Sequence, residues 1–341
     1  MSVQNPIRPR LAVTIGDPSG IGPELVAKLL ASQKNRDQAD IYVLATDQEI
    51  TTAATEIGVS VPVSGRPSSQ AVTAVGSTQS TTAVPRGEAT VAGGRRALAD
   101  LQQAVQMYRR GEVDGIMFAP LNKSALGQAG MNQDDELRWF AELLDYKGTT
   151  SELNLVPGLT TSRVTSHIPL SQVAEHISAR GVLEAIKLLH STIRGFGTEK
   201  PRIAVCALNP HAGEGGKFGH EEVDHIAPGV ELAQVQGIDA SGPYPCDTLF
   251  IKAHAGDYDG VVTMYHDQGQ IAMKLMGFDQ GVTVQGGLPV PIATPAHGTA
   301  YQIVGEGIAN IGPSQRAFDT AVSLASQNLA AQTHNTQGLT V

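Results

Sequence analysis

The sequence predicts an α/β fold built on a largely parallel sheet. Apolar runs of strand length alternate with stretches of helical periodicity along most of the 341 residues. Glycine is abundant, at 37 residues, which suits many tight turns between such units. Three histidine-bearing loops each follow an apolar run, and open α/β sheets place their ligands beyond the C-terminal ends of strands.

The elements follow in order. Leu11–Ile15 reads as a buried strand, and the turn from Gly16 to Glu24 leads into a helix over Leu25–Leu30. Pro23 suits the first helical turn, where its missing N–H costs nothing. Ile41–Ala45 is a second strand, and residues 60–92, rich in Ser, Thr, Val and Gly, read as loops and short strands. Ala92–Arg110 has helical periodicity through Leu98, Leu101, Val105 and Tyr108, and Gly115–Ala119 is a strand. Ser162–His167, Arg202–Leu208 and Gly260–Tyr265 are strands that bring His167, His211 and His266 to their ends. Leu170–Leu189 covers one or two helices, and Gln315–Leu324 is the last helix before a polar tail that frays from Gln327.

Composition narrows the class. The length fits roughly two domains, and 41% hydrophobic with 17% charged residues fits a soluble protein with a large core. A net charge of −9 without a long basic run argues against nucleic-acid binding. The two cysteines, Cys206 and Cys246, have no CxxC spacing, which argues against a disulfide framework and for a reducing cytoplasm. Met1–Arg10 is polar, and the run after it is too short for a signal-peptide core or a membrane span. A cytoplasmic protein is expected.

His167 lies in Thr-Ser-His-Ile-Pro-Leu, His211 in Asn-Pro-His-Ala-Gly-Glu-Gly-Gly and His266 in Met-Tyr-His-Asp-Gln-Gly. Neutral imidazole is the commonest metal ligand, and three protein ligands with one open position mark a catalytic ion. Any single histidine is more often an ordinary core or surface residue. His176, His190, His220, His225 and His334 lack the shared strand-end setting. Asp267 is expected as a further ligand, or as the group that orients the His266 imidazole. Three imidazoles suit Zn first, then Co, Ni or Fe, and the open positions accept Mg or Mn with substrate oxygens.

The second constellation runs from Pro295 to Ile311. By residue pattern it is a glycine-tipped loop running into a helix, where backbone N–H groups can hold an anion, or else an ordinary turn. His297-Gly-Thr-Ala300 followed by Gly305-Glu-Gly-Ile-Ala-Asn310 resembles the adenosine-binding loop of isocitrate and isopropylmalate dehydrogenases. The resemblance implies a nicotinamide dinucleotide on His297, Gly298, Thr299, Ala300 and Asn310, and there is no convincing GxGxxG elsewhere. Gln302 stands where those enzymes carry an acidic residue, and no Arg or Lys lies nearby in sequence for a 2′-phosphate, so NAD is expected rather than NADP.

Further stretches complete the pattern: Gly16-Asp-Pro-Ser-Gly-Ile-Gly-Pro-Glu24, Ala119-Pro-Leu-Asn-Lys123, Gly242-Pro-Tyr-Pro-Cys-Asp-Thr-Leu-Phe250 and Tyr265-His-Asp-Gln-Gly269. With the histidine loops they resemble the 4-hydroxythreonine-4-phosphate dehydrogenase family, from about residue 11 to about residue 322. The resemblance implies an isocitrate/isopropylmalate dehydrogenase-like two-domain α/β/α fold with the active site in the interdomain cleft. It also implies a homodimer with the site near the subunit interface. Residues 1–127 plus 300–341 would form the first domain, and 128–299 the second, with the metal site and dimer interface. His167, His211 and His266 match the family's metal ligands, and Asp247 and Lys274 match positions that line the substrate. Apolar neighbours in Ile271–Met276 would lower the Lys274 pKa by desolvation, unless the lysine lies on an exposed edge. Lys123 is a weaker candidate for holding an anion.

The implied reaction is oxidation of the secondary alcohol of a hydroxy acid by NAD, followed by loss of a carboxylate β to the new ketone. A metal on the hydroxyl oxygen eases loss of its proton and then stabilises the enolate.

Four positions depart from the family's phosphate-binding pattern. Glu136 and Leu137 stand where a His-Thr pair holds the substrate phosphate, and Thr283 and Ile292 stand where Asn and Arg belong. A carboxylate repels a phosphate dianion, and leucine offers no donor. A shifted alignment using Gly148–Glu152 would weaken this point. The departures lead us to expect a member with a different substrate, either a carboxylated cis-dihydrodiol of the terephthalate type or another hydroxy acid, with sugar-acid phosphates also in range. Arg138, Arg163 or Lys217 would pair with a substrate carboxylate. The competing class is a metal-dependent lyase or hydrolase without NAD.

Overall fold

In the computed structural model the structure describes residues 8–79 and 84–337. The polar N-terminal stretch over 1–7, residues 80–83 of the 60–92 region and the end of the tail at 338–341 lie outside the described residues. The chain divides into two compact units, Met1–Tyr146 with Pro289–Val341, and Lys147–Leu288. Residues 128–146 and 289–299 therefore pack with the first unit.

In the first unit β1 (Arg10–Thr14) leads to α1 (Gly22–Ala31), α2 (Gln33–Gln38), β2 (Asp40–Leu44), α3 (Asp47–Glu56) and β3 (Thr73–Ala74). Next come α4 (Val91–Arg109), β4 (Gly115–Phe118), α5 (Lys123–Gln128) and α6 (Glu136–Leu143). The second unit holds β5 (Ser151–Val156), β6 (Leu159–Arg163), α7 (Val173–His176), α8 (Ala179–Arg194) and β7 (Ile203–Cys206). It continues through α9 (Ala227–Val235), β8 (Ala240–Tyr244), α10 (Cys246–His254), β9 (Gly260–Thr263), α11 (His266–Gly277) and β10 (Val282–Gly286). The chain then returns to the first unit as β11 (Ile292–Pro295) and α12 (Gly312–Gln337).

The first unit's strands lie in the order β3-β2-β1-β4-β11, every neighbour parallel. Leu11, Ala12, Val13 and Ile116 are fully buried, as expected of central parallel strands covered on both faces. The second unit's order is β10-β5-β6-β9-β7-β8, with β5 antiparallel to both of its neighbours and the remaining pairs parallel. The expected parallel sheet is thus joined by an antiparallel edge.

Two elements differ from the sequence expectation. The last helix starts at Gly312 and continues through Gln337 instead of fraying from Gln327. Its small residues explain part of the length, since Ala317, Ala321 and Ala325 are fully buried. The stretch after His297 does not run into a helix. It forms a short 3₁₀ turn at Tyr301–Ile303 and otherwise stays irregular until α12.

A buried charge cluster ties α3 to α4. Thr46 caps α3 in a reciprocal capping box with Glu49. The Arg96 guanidinium, 5% exposed, pairs with Glu49 at 2.6 Å and with the fully buried Asp100 at 2.8 Å. Burial pushes the Asp100 carboxyl up to about 6, because desolvation outweighs the attraction of Arg96. A carboxyl raised above its unfolded value contributes stability that is fully present below the unfolded value and is lost as pH rises through about 6. The folding free energy of the wild type relative to Asp100→Asn should therefore worsen by about 2 kcal/mol in denaturant titrations from pH 4 to pH 7. A difference independent of pH would show that Asp100 ionises normally in the folded protein.

Candidate active site

In the second unit β6 and β9 stay joined beyond their ends. Thr165 donates to the Met264 carbonyl from both its N–H, at 3.1 Å, and its hydroxyl, at 2.7 Å. This double bond pattern carries the two chains forward together and brings His167 beside His266, with ring centres 5.6 Å apart. His167 adopts a left-handed backbone, φ 50°, which turns the chain at that point. His266 opens α11, and its Nδ1 lies 2.7 Å from Asp267 Oδ1. A carboxylate there favours the tautomer with the proton on Nδ1 and leaves the Nε2 lone pair for a ligand. His167, His266, Asp267, Tyr265, Ile168 and Leu170 help line a cavity of about 290 Å³.

The third histidine loop is built differently. Residues 211–215 all have positive φ, in a run of left-handed backbone after Pro210. The buried Glu222 carboxylate anchors this loop, accepting the N–H groups of Leu208 and Asn209 at 2.8 and 2.7 Å and the Asn209 side-chain amide at 3.0 Å. His211 packs near Phe218, ring centres 6.2 Å apart. Among the described residues no group of three or more His, Cys, Asp or Glu is gathered to hold an ion. The structure brings His167, His266 and Asp267 together around one cavity whose lining does not include His211.

The donor chemistry at His167 and His266 fits a divalent ion. Two imidazoles on one tetrahedral ion place their ring centres about 5 Å apart. The His167 and His266 ring centres, 5.6 Å apart, lie near that spacing.

The remaining expected positions separate clearly. Asp247 is exposed in the first turn of α10. Lys274 is exposed on α11 between the equally exposed Ile271 and Leu275, so the apolar burial expected around it is absent within one chain. Leu137 is buried at 6% exposure in α6, and Ile292 is fully buried in β11, paired with Ile116. Both serve the core of the first unit. Thr283, on β10, donates to the Asn154 side chain at 3.4 Å. Glu136 lines a small cavity of about 40 Å³ with Lys123, Asp134 and Asp135.

In the first unit the loop from His297 to Ile311 is held by α1 and the turn before it. Ile21 donates to the Thr299 carbonyl at 3.0 Å, and a Cβ on Gly20 would stand 2.7 Å from that oxygen. Only glycine permits so close an approach. The buried Glu24 carboxylate accepts the N–H groups of Gly305 and Ala309, both at 3.3 Å. Lys28 donates to the carbonyls of Gly307 and Ala309 at 2.8 and 3.0 Å. Tyr301 donates to the buried Asp17 at 2.6 Å, and burial followed by that carboxylate holds the phenol well above its ordinary value.

The loop fits a dinucleotide. Burial lowers the His297 pKa and keeps the ring neutral, while its buried Nε2 has no protein partner. Gly298 faces open space, and Ala300 is left-handed at φ 42°. The expected absence of nearby cations is corrected by the fold. Besides Lys28, the Arg86 guanidinium lies 3.4 Å from where a Gly305 Cβ would stand. Both are engaged, Arg86 with Glu56 at 2.8 Å and Lys28 with backbone carbonyls.

The sequence reading missed a polar row across the second sheet. Register pairs Gln285 with Glu152 on β10 and β5, and Arg163 with Thr263 on β6 and β9. Glu152 and Arg163 form a buried ion pair, and Arg163 Nε donates to Ser166 at 2.9 Å, next to His167. Arg163 is therefore committed to Glu152. Arg138 is likewise paired with Asp134, and Lys217 with Glu214.

Residues 33–321 match the family model of the pyridoxal phosphate biosynthetic protein PdxA. The chain belongs to the PdxA family. It is 48% identical over 326 residues to a putative 4-hydroxythreonine-4-phosphate dehydrogenase 2 of Pseudomonas aeruginosa, covering 93% of this chain and 97% of that one. The structure of a 4-hydroxythreonine-4-phosphate dehydrogenase from Klebsiella pneumoniae superposes with a TM-score of 0.79 at 32% identity, over 95% of this chain and 100% of the other. A terephthalate 1,2-cis-dihydrodiol dehydrogenase from Burkholderia xenovorans is also similar, with a TM-score of 0.70 and 26% identity over 93% and 98% of the two chains.

The buried pair makes a direct prediction. Glu152→Val alone leaves Arg163 uncompensated and should lower the unfolding free energy by about 3–5 kcal/mol. The double variant Glu152→Val with Arg163→Leu should recover most of that loss in urea titrations. A loss in the double variant equal to the sum of the losses in Glu152→Val and Arg163→Leu would mean the pair has no net coupling.

Proposed function

We propose that this chain is an NAD- and divalent-metal-dependent dehydrogenase that oxidises the secondary alcohol of a hydroxy acid and releases CO2 from the resulting ketone. The observation that carries the proposal is the facing pair His167 and His266, with Asp267 on the His266 ring, in a chain of the PdxA family. Dehydrogenase names among its relatives support the oxidoreductase class.

When bound, the dinucleotide accepts a hydride and the ion withdraws charge from the substrate oxygen. His167 and His266 would hold the ion, with His211 as the third ligand once its loop or a second copy of the chain delivers it. Asp267 fixes the His266 tautomer. His297, Gly298, Thr299, Ala300 and Asn310 would hold the adenosine end, positioned by Glu24 and Lys28. Asp247 and Lys274 are the candidates for moving protons at the substrate hydroxyl and the product carbanion. Homodimerisation belongs to the same reading, and the exposed apolar Ile251, Ile271 and Leu275 on α10 and α11 support it. So does residence in the cytoplasm, since two free cysteines suit a reducing compartment. Among the described residues no helix is long and apolar enough to cross a membrane.

Two substrate classes compete. The relatives' names favour a phosphorylated hydroxy acid. Glu136 and Leu137, at the positions the resemblance assigns to phosphate binding, favour a substrate without a phosphate dianion, such as a carboxylated cis-dihydrodiol. NAD is preferred over NADP because Glu56 neutralises Arg86.

A panel of 4-phosphohydroxy-L-threonine, four-carbon sugar-acid phosphates and a carboxylated cis-dihydrodiol, read at the NADH absorbance band, tests the reading. Turnover should appear with one of them and vanish on chelation. His167→Asn and His266→Asn should each weaken Co(II) binding, followed by its visible absorption, by at least roughly tenfold. Unchanged Co(II) binding in both variants would remove the metal assignment, and no NADH with any hydroxy acid would favour a lyase or hydrolase. Separately, Glu56→Gln should raise the kcat/KM with NADP relative to NAD; no change would show that Arg86 lies away from the ribose.

A further inference from the structure

We propose that Cys206 and Cys246 form a reversible, peroxide-operated disulfide that tethers β7 to α10. The two sulfurs lie 3.4 Å apart, although 40 residues separate them in sequence. Both are free thiols, and they are the only two cysteines in the chain. Parallel pairing of β7 with β8 sets Cys206 opposite Tyr244, two residues before Cys246, so the sheet register itself brings the pair together. The same apolar cluster, with Leu249, Val261 and Met273, packs around both.

The two positions are unequal in a way that assigns the roles. Cys206 ends β7 and is fully buried. Cys246 is the first residue of α10 and is half-buried, so an oxidant reaches it first. The hydrogen bond with Cys206 lowers the Cys246 thiol, and the same bond together with burial raises Cys206 well above its ordinary value. The exposed sulfur is thus the better nucleophile and the buried one the resolving partner.

The chemistry balances with hydrogen peroxide as the oxidant. The Cys246 sulfur attacks one peroxide oxygen, the O–O bond breaks, and the departing hydroxide takes the thiol proton to form water. This leaves a sulfenic acid on Cys246. The Cys206 sulfur then attacks the Cys246 sulfur, the S–OH bond breaks, and the second hydroxide leaves as water with the Cys206 proton. Two thiols and one peroxide become one disulfide and two waters, and two electrons pass from sulfur to oxygen. A dithiol reductant reverses the step by exchange. Closure to a bond of about 2.05 Å needs the sulfurs to approach by roughly a further 1.3 Å. It would tighten α10, which carries Asp247, against the strand that leads into the His211 loop.

Intact-mass analysis after treatment with hydrogen peroxide and removal of excess tests the proposal. The native protein should lose about 2 Da as a monomeric chain, with a peptide linking residues 206 and 246, and dithiothreitol should restore the mass. Cys206→Ala should instead stop at a sulfenic acid that dimedone traps on residue 246. Cys246→Ser should show neither product and serves as the second variant if the core substitution fails to fold. Absence of the 206–246 peptide, over-oxidation of wild-type Cys246 to the sulfinic acid, or a disulfide only between chains would each overturn it.

Discussion

A carboxylate that accepts backbone N–H groups from an irregular loop is the interaction on which the rest of the candidate site depends. Glu24 is 3% exposed, and its oxygens take the N–H groups of Gly305 and Ala309. The stretch from His297 to Ile311 has no regular ladder to satisfy its backbone, so its polar groups need partners from elsewhere. Lys28, one turn further along α1, supplies the complementary donor to two carbonyls of the same loop. One helix face thereby sets the loop from both sides of the hydrogen-bonding inventory. Glu222 does the same for Leu208 and Asn209 in the second unit. Each unit therefore uses an acid, buried at 3% exposure in both cases, where a histidine-bearing loop leaves the sheet.

Much of the scaffold was legible from residue pattern. Central strands such as β1 and β4 are short apolar runs buried on both faces, and such runs announce themselves. The strand-end placement of His167 and His266 was legible for the same reason. The irregular path after His297 was not, because glycine-rich segments read alike whether they lead into a helix or are pinned by distant side chains. Arg86 was invisible as a neighbour of Gly305, since more than two hundred residues separate them and only the fold joins them. The pairing of Glu152 with Arg163 depends on strand register, which a lone sequence does not reveal. Leu137 and Ile292 carry a related lesson. The family resemblance led us to expect them at the substrate, while burial places both in the core.

The electrostatics of the second unit are closed in on themselves. Arg163 answers Glu152, and Lys217 answers Glu214. Cations that looked available for an anionic substrate, Arg163 and Lys217, already have carboxylate partners. Asp267 is the exception in kind. Its side chain is 72% exposed while one oxygen serves His266, so it remains open to a second contact.

The left-handed run at 211–215 limits which side chains its loop tolerates. Three of its five residues, His211, Ala212 and Glu214, carry a Cβ, and each such residue costs roughly 1–2 kcal/mol in that conformation. Glycine at 212 or 214 would relax the loop, whereas valine or isoleucine would break it. The segment therefore favours small or unbranched side chains at 212 and 214, and His211 presents its imidazole from a backbone conformation that few residue types adopt. Such an outlier points to a role for the side chain that sits on it.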